Sequence, residues 1–232
     1  MRYGRDDLEA AVCMVDPTVT KEDVDAFTDD CLRLRAIWHH YQTLFEYSQL
    51  RRELLDSVAG TFFRDINLIL IGQMILQICR ITDPIQMRGR TNLTVKTLIA
   101  LSDFSSEPGR LEKLEWLSER MHDFRKLIEP ARNRFISHLD LESVRIGEPL
   151  GDAPRERWLD FWIDLQEFLH IMYKHHVDPD GHFYLNAVGM MSDADQLVKA
   201  LRESKYFWAL LEDRATTRLA SDAANKSRYY EA

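Results

Sequence analysis

TKEDVDAFTDDCLRLRAIWHHYQTLF, residues Thr20 to Phe45, is the stretch that decides the fold. Thr20 with Asp23 three residues on is the acidic form of a capping box, in which each residue's side chain satisfies the other's backbone N–H. Beyond it, Val24, Phe27, Cys31, Leu34, Trp38, Tyr41 and Phe45 recur at alternating spacings of three and four. That stripe follows one side of a helix and must be covered by a second helix laid lengthwise on it.

Working outward, the same periodicity dominates. A second long helix is predicted from Leu50 to near Thr82, ended by Asp83-Pro84, because proline disfavours helix in the residue before it. Thr91 or Asn92 can cap a short helix through Ser102. Leu114, Leu117, Met121, Phe124 and Ile128 form another three-four stripe. Gly147, Pro149, Gly151 and Pro154 punctuate a loop. A further helix turns Trp158, Phe161, Leu165, Phe168 and Met172 inward. Asp178-Pro179-Asp180-Gly181 reads as a turn, followed by a short extended stretch at Phe183 to Leu185. Ser192 with Asp195 caps a last helix, with Leu197, Leu201, Phe207, Trp208 and Leu211 as its core side. Nothing reads as a sheet. The fold class is therefore all-α, an up-down helical bundle with additional C-terminal helices. The bundle is expected over 20–176, an extension with one packed helix over 177–215, and a polar tail over 216–232.

The chain has 232 residues and a formal net charge of −8, which argues against coating nucleic acid non-specifically. Charge is uneven, however. From Arg120 to His138, five basic residues (Arg120, Arg125, Lys126, Arg132, Arg134) face two acidic ones (Asp123, Glu129). A small basic cleft on an acidic body suits an enzyme acting on a limited stretch of a phosphodiester chain; a mixed solvated helix face is the alternative. Cys13, Cys31 and Cys79 read as core thiols of a cytoplasmic protein. The N-terminus lacks the apolar run of a signal peptide. The greasiest segment, Ile66 to Ile81, is interrupted by Asn67, Gln73, Gln77 and Arg80. It reads as a buried helix too short to span a bilayer.

Chemistry concentrates in Arg132-Asn133-Arg134-Phe135-Ile136-Ser137-His138-Leu139-Asp140. Pro130 just upstream predicts a helix start, which would set Arg132 among orphan N–H groups that favour anions. His138 has the side chain suited to proton transfer near neutrality. Positions six apart on a helix are separated by about 240°, so Arg132 and His138 do not share a face. Either Arg132 sits in an irregular turn, or a site combines arginine and histidine from two subunits. Arg134, four residues from His138, shares its face and is a rival cation.

Arg132-Asn133-x4-His138 resembles the signature of HEPN domains (higher eukaryotes and prokaryotes nucleotide-binding). The wider run, together with Arg80-Ile81-Thr82-Asp83-Pro84 and Asn92-Leu93-Thr94, is most similar to their abortive-infection, AbiU-type branch. The resemblance covers Thr20 to Leu141 and, more loosely, the helix from Arg155. It implies a helical bundle that dimerises and cleaves RNA without a metal or other cofactor, in phage defence or as a toxin. Carried over, Arg132 would bind the scissile phosphate. His138 would serve as base on the 2′-hydroxyl or acid on the leaving oxygen, and Asn133 would orient the phosphate or the histidine. Arg134, Arg80, Asp83 and Asp140 are lesser candidates for contacting or supporting the substrate. The implied partners are RNA, a second copy and an antitoxin or neutralising protein, with neither membrane nor DNA expected. The alternatives are a non-catalytic nucleotide- or RNA-binding module of the same type and a helical interaction scaffold. The histidines and carboxylates from His176 to His182 match no tight metal-ligand spacing, and Trp158, Phe161, Trp162, Phe168 and Trp208 sit at core spacings.

Overall fold

The computed structural model describes residues 18–87, 89–133, 153–185 and 193–230, with side chains to 218. Among them are six α-helices: α1 (Lys21–Tyr41), α2 (Gln49–Ile81), α3 (Val95–Leu101), α4 (Pro108–Ala131), α5 (Arg155–His176) and α6 (Asp193–Tyr230). The protein is all-α, as expected. One correction is a two-residue antiparallel hairpin, β1 (Gln86–Met87) on β2 (Arg90–Thr91), turned at Gly89, whose φ of +77° favours glycine.

The capping box forms as read. Asp23 accepts from the Thr20 N–H at 3.0 Å, and Thr20 Oγ1 accepts from the Asp23 N–H at 3.3 Å. Thr94, rather than Thr91 or Asn92, caps α3, its hydroxyl accepting from the Thr97 N–H. Asn92 instead donates its amide to the Pro84 carbonyl.

The chain divides into two compact units. The first holds residues up to Leu34 and Met74–Asn186; the second holds Arg35–Gln73 and Ala187–Ala232. In the first, the α1 stripe (Val24, Phe27, Cys31, Leu34), the α4 stripe (Leu114, Leu117, Met121, Phe124, Ile128) and the α5 stripe (Phe161, Leu165, Phe168, Met172) are all buried. Phe124 meets Trp158 edge-on at 4.9 Å and Phe161 at 5.0 Å, while Phe27 meets Phe168 at 6.1 Å. The extended stretch pairs with a side chain instead of a strand. Gln166 donates to the Phe183 carbonyl and accepts from the Leu185 N–H.

In the second unit, Leu44, Leu55, Phe63, Ala194 and Val198 form one core cluster, and Ala36 and Trp38 are buried too. The chain widens into a π-helical turn, Gln42–Glu46, and α2 begins after it, with Ser48 Oγ accepting from the Arg51 N–H. Arg51 ties α6 down through Asp195 at 2.8 Å, so Asp195 is an ion-pair partner as well as a first-turn acid. Helix α2 is kinked at Ala59, beside Gly60.

Two expectations need correction. The Ile66–Ile81 segment is one part of a 33-residue helix and is only partly buried. Met74, Ile75, Ile78, Cys79 and Ile81 are core, but Leu68 and Ile69 are exposed. By length and composition alone, α2 is the one helix among the described residues long and apolar enough to cross a membrane. On α6, Leu197, Phe207, Trp208 and Leu211 are exposed rather than core, and the helix runs on past Thr216 to Tyr230.

Candidate functional site

Helix α4 carries the motif's first residues, and Pro130 lies inside it rather than at a helix start. Proline there removes the bond to the Lys126 carbonyl and crowds that oxygen. The backbone answers by entering a wider π-type turn at Arg132 and Asn133. The Arg132 N–H donates to the Ile128 and Glu129 carbonyls, so it is not an orphan donor waiting for an anion. The expectation of a helix N-terminus at Arg132 is overturned. Its guanidinium instead stands at the carbonyl end of α4, where the helix field favours a cation.

Asp83 supplies the counter-charge. It directly follows Thr82 at the end of α2 and is buried, 9% exposed. Arg125, itself 7% exposed, approaches Asp83 Oδ1 to 2.8 Å. The same guanidinium donates to the Thr82 carbonyl at 2.7 Å and the Cys79 carbonyl at 3.3 Å, closing the C-terminal turn of α2. It also reaches Glu129 at 3.2 Å. Arg132 Nη1 lies 3.9 Å from the same Asp83 oxygen and is partly exposed. Asp83 Oδ1 is thus within reach of two guanidiniums, but neither contact is an aligned hydrogen bond. Burial raises the Cys79 thiol to about 11, with Arg125 and Arg132 pulling the other way. It is an inert protonated thiol beside the two cations.

Of the motif's other residues, Asn133 is exposed beside Arg132. Arg134, His138 and Asp140 lie outside the described residues. Arg80 pairs with Asp30 at 2.5 Å, and Gln77 donates to the Asp30 carbonyl, so this polar edge of α2 binds α1. The basic excess counted along the chain is largely committed. Arg120 holds Asp164 at 2.8 Å, Lys126 holds Asp123 at 2.9 Å, and Arg125 is enclosed. Arg132, with a contact of 3.9 Å, is the loosest described cation of that segment.

Two residues escaped the sequence reading as site components. Arg125 looked like surface charge; its place one residue after buried Phe124 was the available signal. His122 is the second. Its half-sunk ring is held below the ordinary histidine range by burial, then by Lys96, Lys126 and Arg125, and its Nδ1 is buried without a hydrogen bond. It is a neutral imidazole on the α4 face that also carries Arg125, Lys126, Glu129 and Asn133. Among the described residues, no cluster of three His, Cys, Asp or Glu could hold a metal.

The family model named AbiU2, of the HEPN group, matches residues 20–185. The chain belongs to the HEPN AbiU2 family. No curated protein and no solved structure matches it. The matched span takes in α1 to α5, with Asp83, Arg125 and Arg132, and covers both the Thr20–Leu141 resemblance and the helix from Arg155. The long helix α6 lies beyond it. The domain is thereby a HEPN-type domain related to abortive infection.

Proposed function

We propose that this AbiU2-type protein is a metal-independent endoribonuclease acting in abortive infection or as a toxin restrained by a neutralising partner. It works in the cytoplasm, as a homodimer, on RNA. The observation that carries the reading is Arg132: a partly exposed guanidinium at the mouth of a buried Asp83–Arg125 pair, six residues before His138 in the sequence. A phosphate arriving at Arg132 replaces a loose contact to Asp83, so little is lost on binding. The buried carboxylate keeps the guanidinium aimed between substrates.

In this chemistry the ribose 2′-oxygen attacks the adjacent phosphorus, and the P–O5′ bond breaks. The products are a 2′,3′-cyclic phosphate and a 5′-hydroxyl. His138 accepts the 2′-hydroxyl proton or donates one to the leaving oxygen. Arg132 offsets the charge that builds on the non-bridging oxygens. Asn133, exposed next to it, donates to the phosphate. Arg134, four residues before His138 in the sequence, is the second cation.

The test is cleavage of single-stranded RNA by the purified protein in EDTA. Wild type leaves cyclic-phosphate ends, and Arg132→Ala and His138→Ala each slow the reaction by roughly 10²-fold or more. Equal rates in all three proteins would overturn the assignment. RNA binding that Arg132→Ala abolishes, with no turnover in wild type, would instead make this a binding module.

A further inference from the structure

Among the described residues, the apolar packing of helix α6 on its own unit lies at its start. Ala194 and Val198 are buried, Leu201 packs against the same small core, and Arg51 grips Asp195. From Arg202 to Arg218 every residue is exposed. That stretch includes Tyr206, Phe207 and Trp208, at 67%, 57% and 61% exposure, followed by Leu210 and Leu211. Helices in proteins draw most of their stability from packing an apolar face, and a contiguous exposed aromatic patch marks an interaction surface. On a helical projection Leu201, Ser204, Trp208, Leu211 and Ala215 fall on one stripe at spacings of three, four, three and four.

The charges beside that stripe identify its occupant. Numbered as a heptad, Leu201, Trp208 and Ala215 hold one core position, and Ser204, Leu211 and Arg218 the other. Antiparallel pairing of this helix with itself sets Trp208 against Leu211 of the other copy and Ser204 against Ala215. In that register Lys205 on one flank meets Glu212 of the other copy, twice by symmetry. On the opposite flank Phe207 meets Arg214, a cation over an aromatic ring. A parallel pairing offers Lys205 only Ala200. We infer that residues 202–218 of α6 form an antiparallel, two-fold interface with a second copy of this chain. The small residues Ser204 and Ala215 face each other where two indoles stand close to the dyad, leaving room for them. Lys205 now touches Ser57 at 2.7 Å, an exposed contact that a carboxylate displaces at little cost. The interface lies outside the family-matched span and does not depend on the nuclease reading.

The full-length chain decides it by sedimentation equilibrium. Wild type is dimeric at micromolar concentration, and Trp208→Glu raises the dimer Kd at least about a hundredfold with unchanged helix content by circular dichroism. Lys205→Glu, an exposed change whose helix content is checked in the same way, raises Kd about tenfold by setting a carboxylate against Glu212 of the other copy at both symmetric positions. The swap Lys205→Glu/Glu212→Lys restores the wild-type value. A monomeric wild type would overturn the inference, whether the stripe is then covered by this chain's own residues or, as vesicle flotation would reveal, by lipid. A dimer indifferent to Trp208→Glu would overturn it too, and failure of the swap to rescue would overturn the antiparallel register.

Discussion

The two units of this protein use the same building material in opposite ways. In the first, three apolar stripes are buried completely, and even charge is taken inside, with Arg125 and Asp83 paired in the interior. In the second, Leu44, Leu55, Phe63, Ala194 and Val198 form a small core cluster and Ala36 and Trp38 are also buried, while Val58, Phe62, Leu68 and Ile69 on α2 and the aromatics of α6 face outward. The difference teaches where to look for what. A unit that can bury a charge pair can hold a guanidinium in a fixed place, which suits chemistry. A unit that leaves large apolar side chains exposed is built to be covered, which suits association.

The sharpest way to break this contrast is to remove Arg125. Arg125→Ala leaves buried Asp83 with only the more distant Arg132 as counter-charge and takes from the Thr82 carbonyl its guanidinium donor. It should cost about 3–5 kcal/mol in urea unfolding. Arg125→Met combined with Asp83→Leu removes both charges and should recover most of that loss. Equal cost for single and double variants would mean that packing, not the charge pair, organises this corner of the fold.

Next comes aromatic truncation. Phe168→Ala, in the first unit, should cost about 3–5 kcal/mol because it opens a cavity in a filled interior. Phe62→Ala, in the second, exposed on α2, should cost less than about 0.5 kcal/mol. Comparable losses would erase the distinction between the units. A smaller effect tests the local signals that start helices. Thr94→Ala removes the α3 cap and should lower stability by about 1 kcal/mol.

Legibility divides along the same line. The helices of the first unit were readable because burial imposes periodicity: the Val24-to-Leu34, Leu114-to-Ile128 and Phe161-to-Met172 stripes each point to one core. The same logic misplaced Phe207 and Trp208. Apolar spacing shows that a face is to be covered, not whether this chain or another copy covers it. Pro130 misled for a different reason. Proline is compatible with a helix start and, at a cost, with a late helical turn, and only the hydrogen bonds of Arg132 tell them apart. Arg125 was invisible because a buried guanidinium has the same letter as a solvated one. Its partner Asp83 stands out in the sequence for its place beside Pro84, and nothing in the spacing of 42 residues between them announces their meeting.

The smallest expected effect is a pH dependence, and it too belongs to the first unit. His176 donates or accepts with Ser102 Oγ at 2.7 Å, and burial, then His175, holds its ring below the ordinary histidine range. His122 is held down similarly. For both, the unfolded chain takes up a proton more readily than the folded one. Their neutral forms therefore contribute fully above an unfolded pKa of about 6.5, and that contribution is lost as pH falls through and below it. Carboxylates titrate lower and complicate the raw curve, so the informative quantity is a difference. The stability of wild type relative to His176→Gln, whose amide can still bond Ser102 but cannot take a proton, should be largest at pH 7.5. It should decline toward pH 5.5. A difference that stays level across that range would show that the ring is protonated as easily inside this unit as outside it, and the tightly closed interior assigned to it would have to be wetter around α3 and α5 than its packing implies.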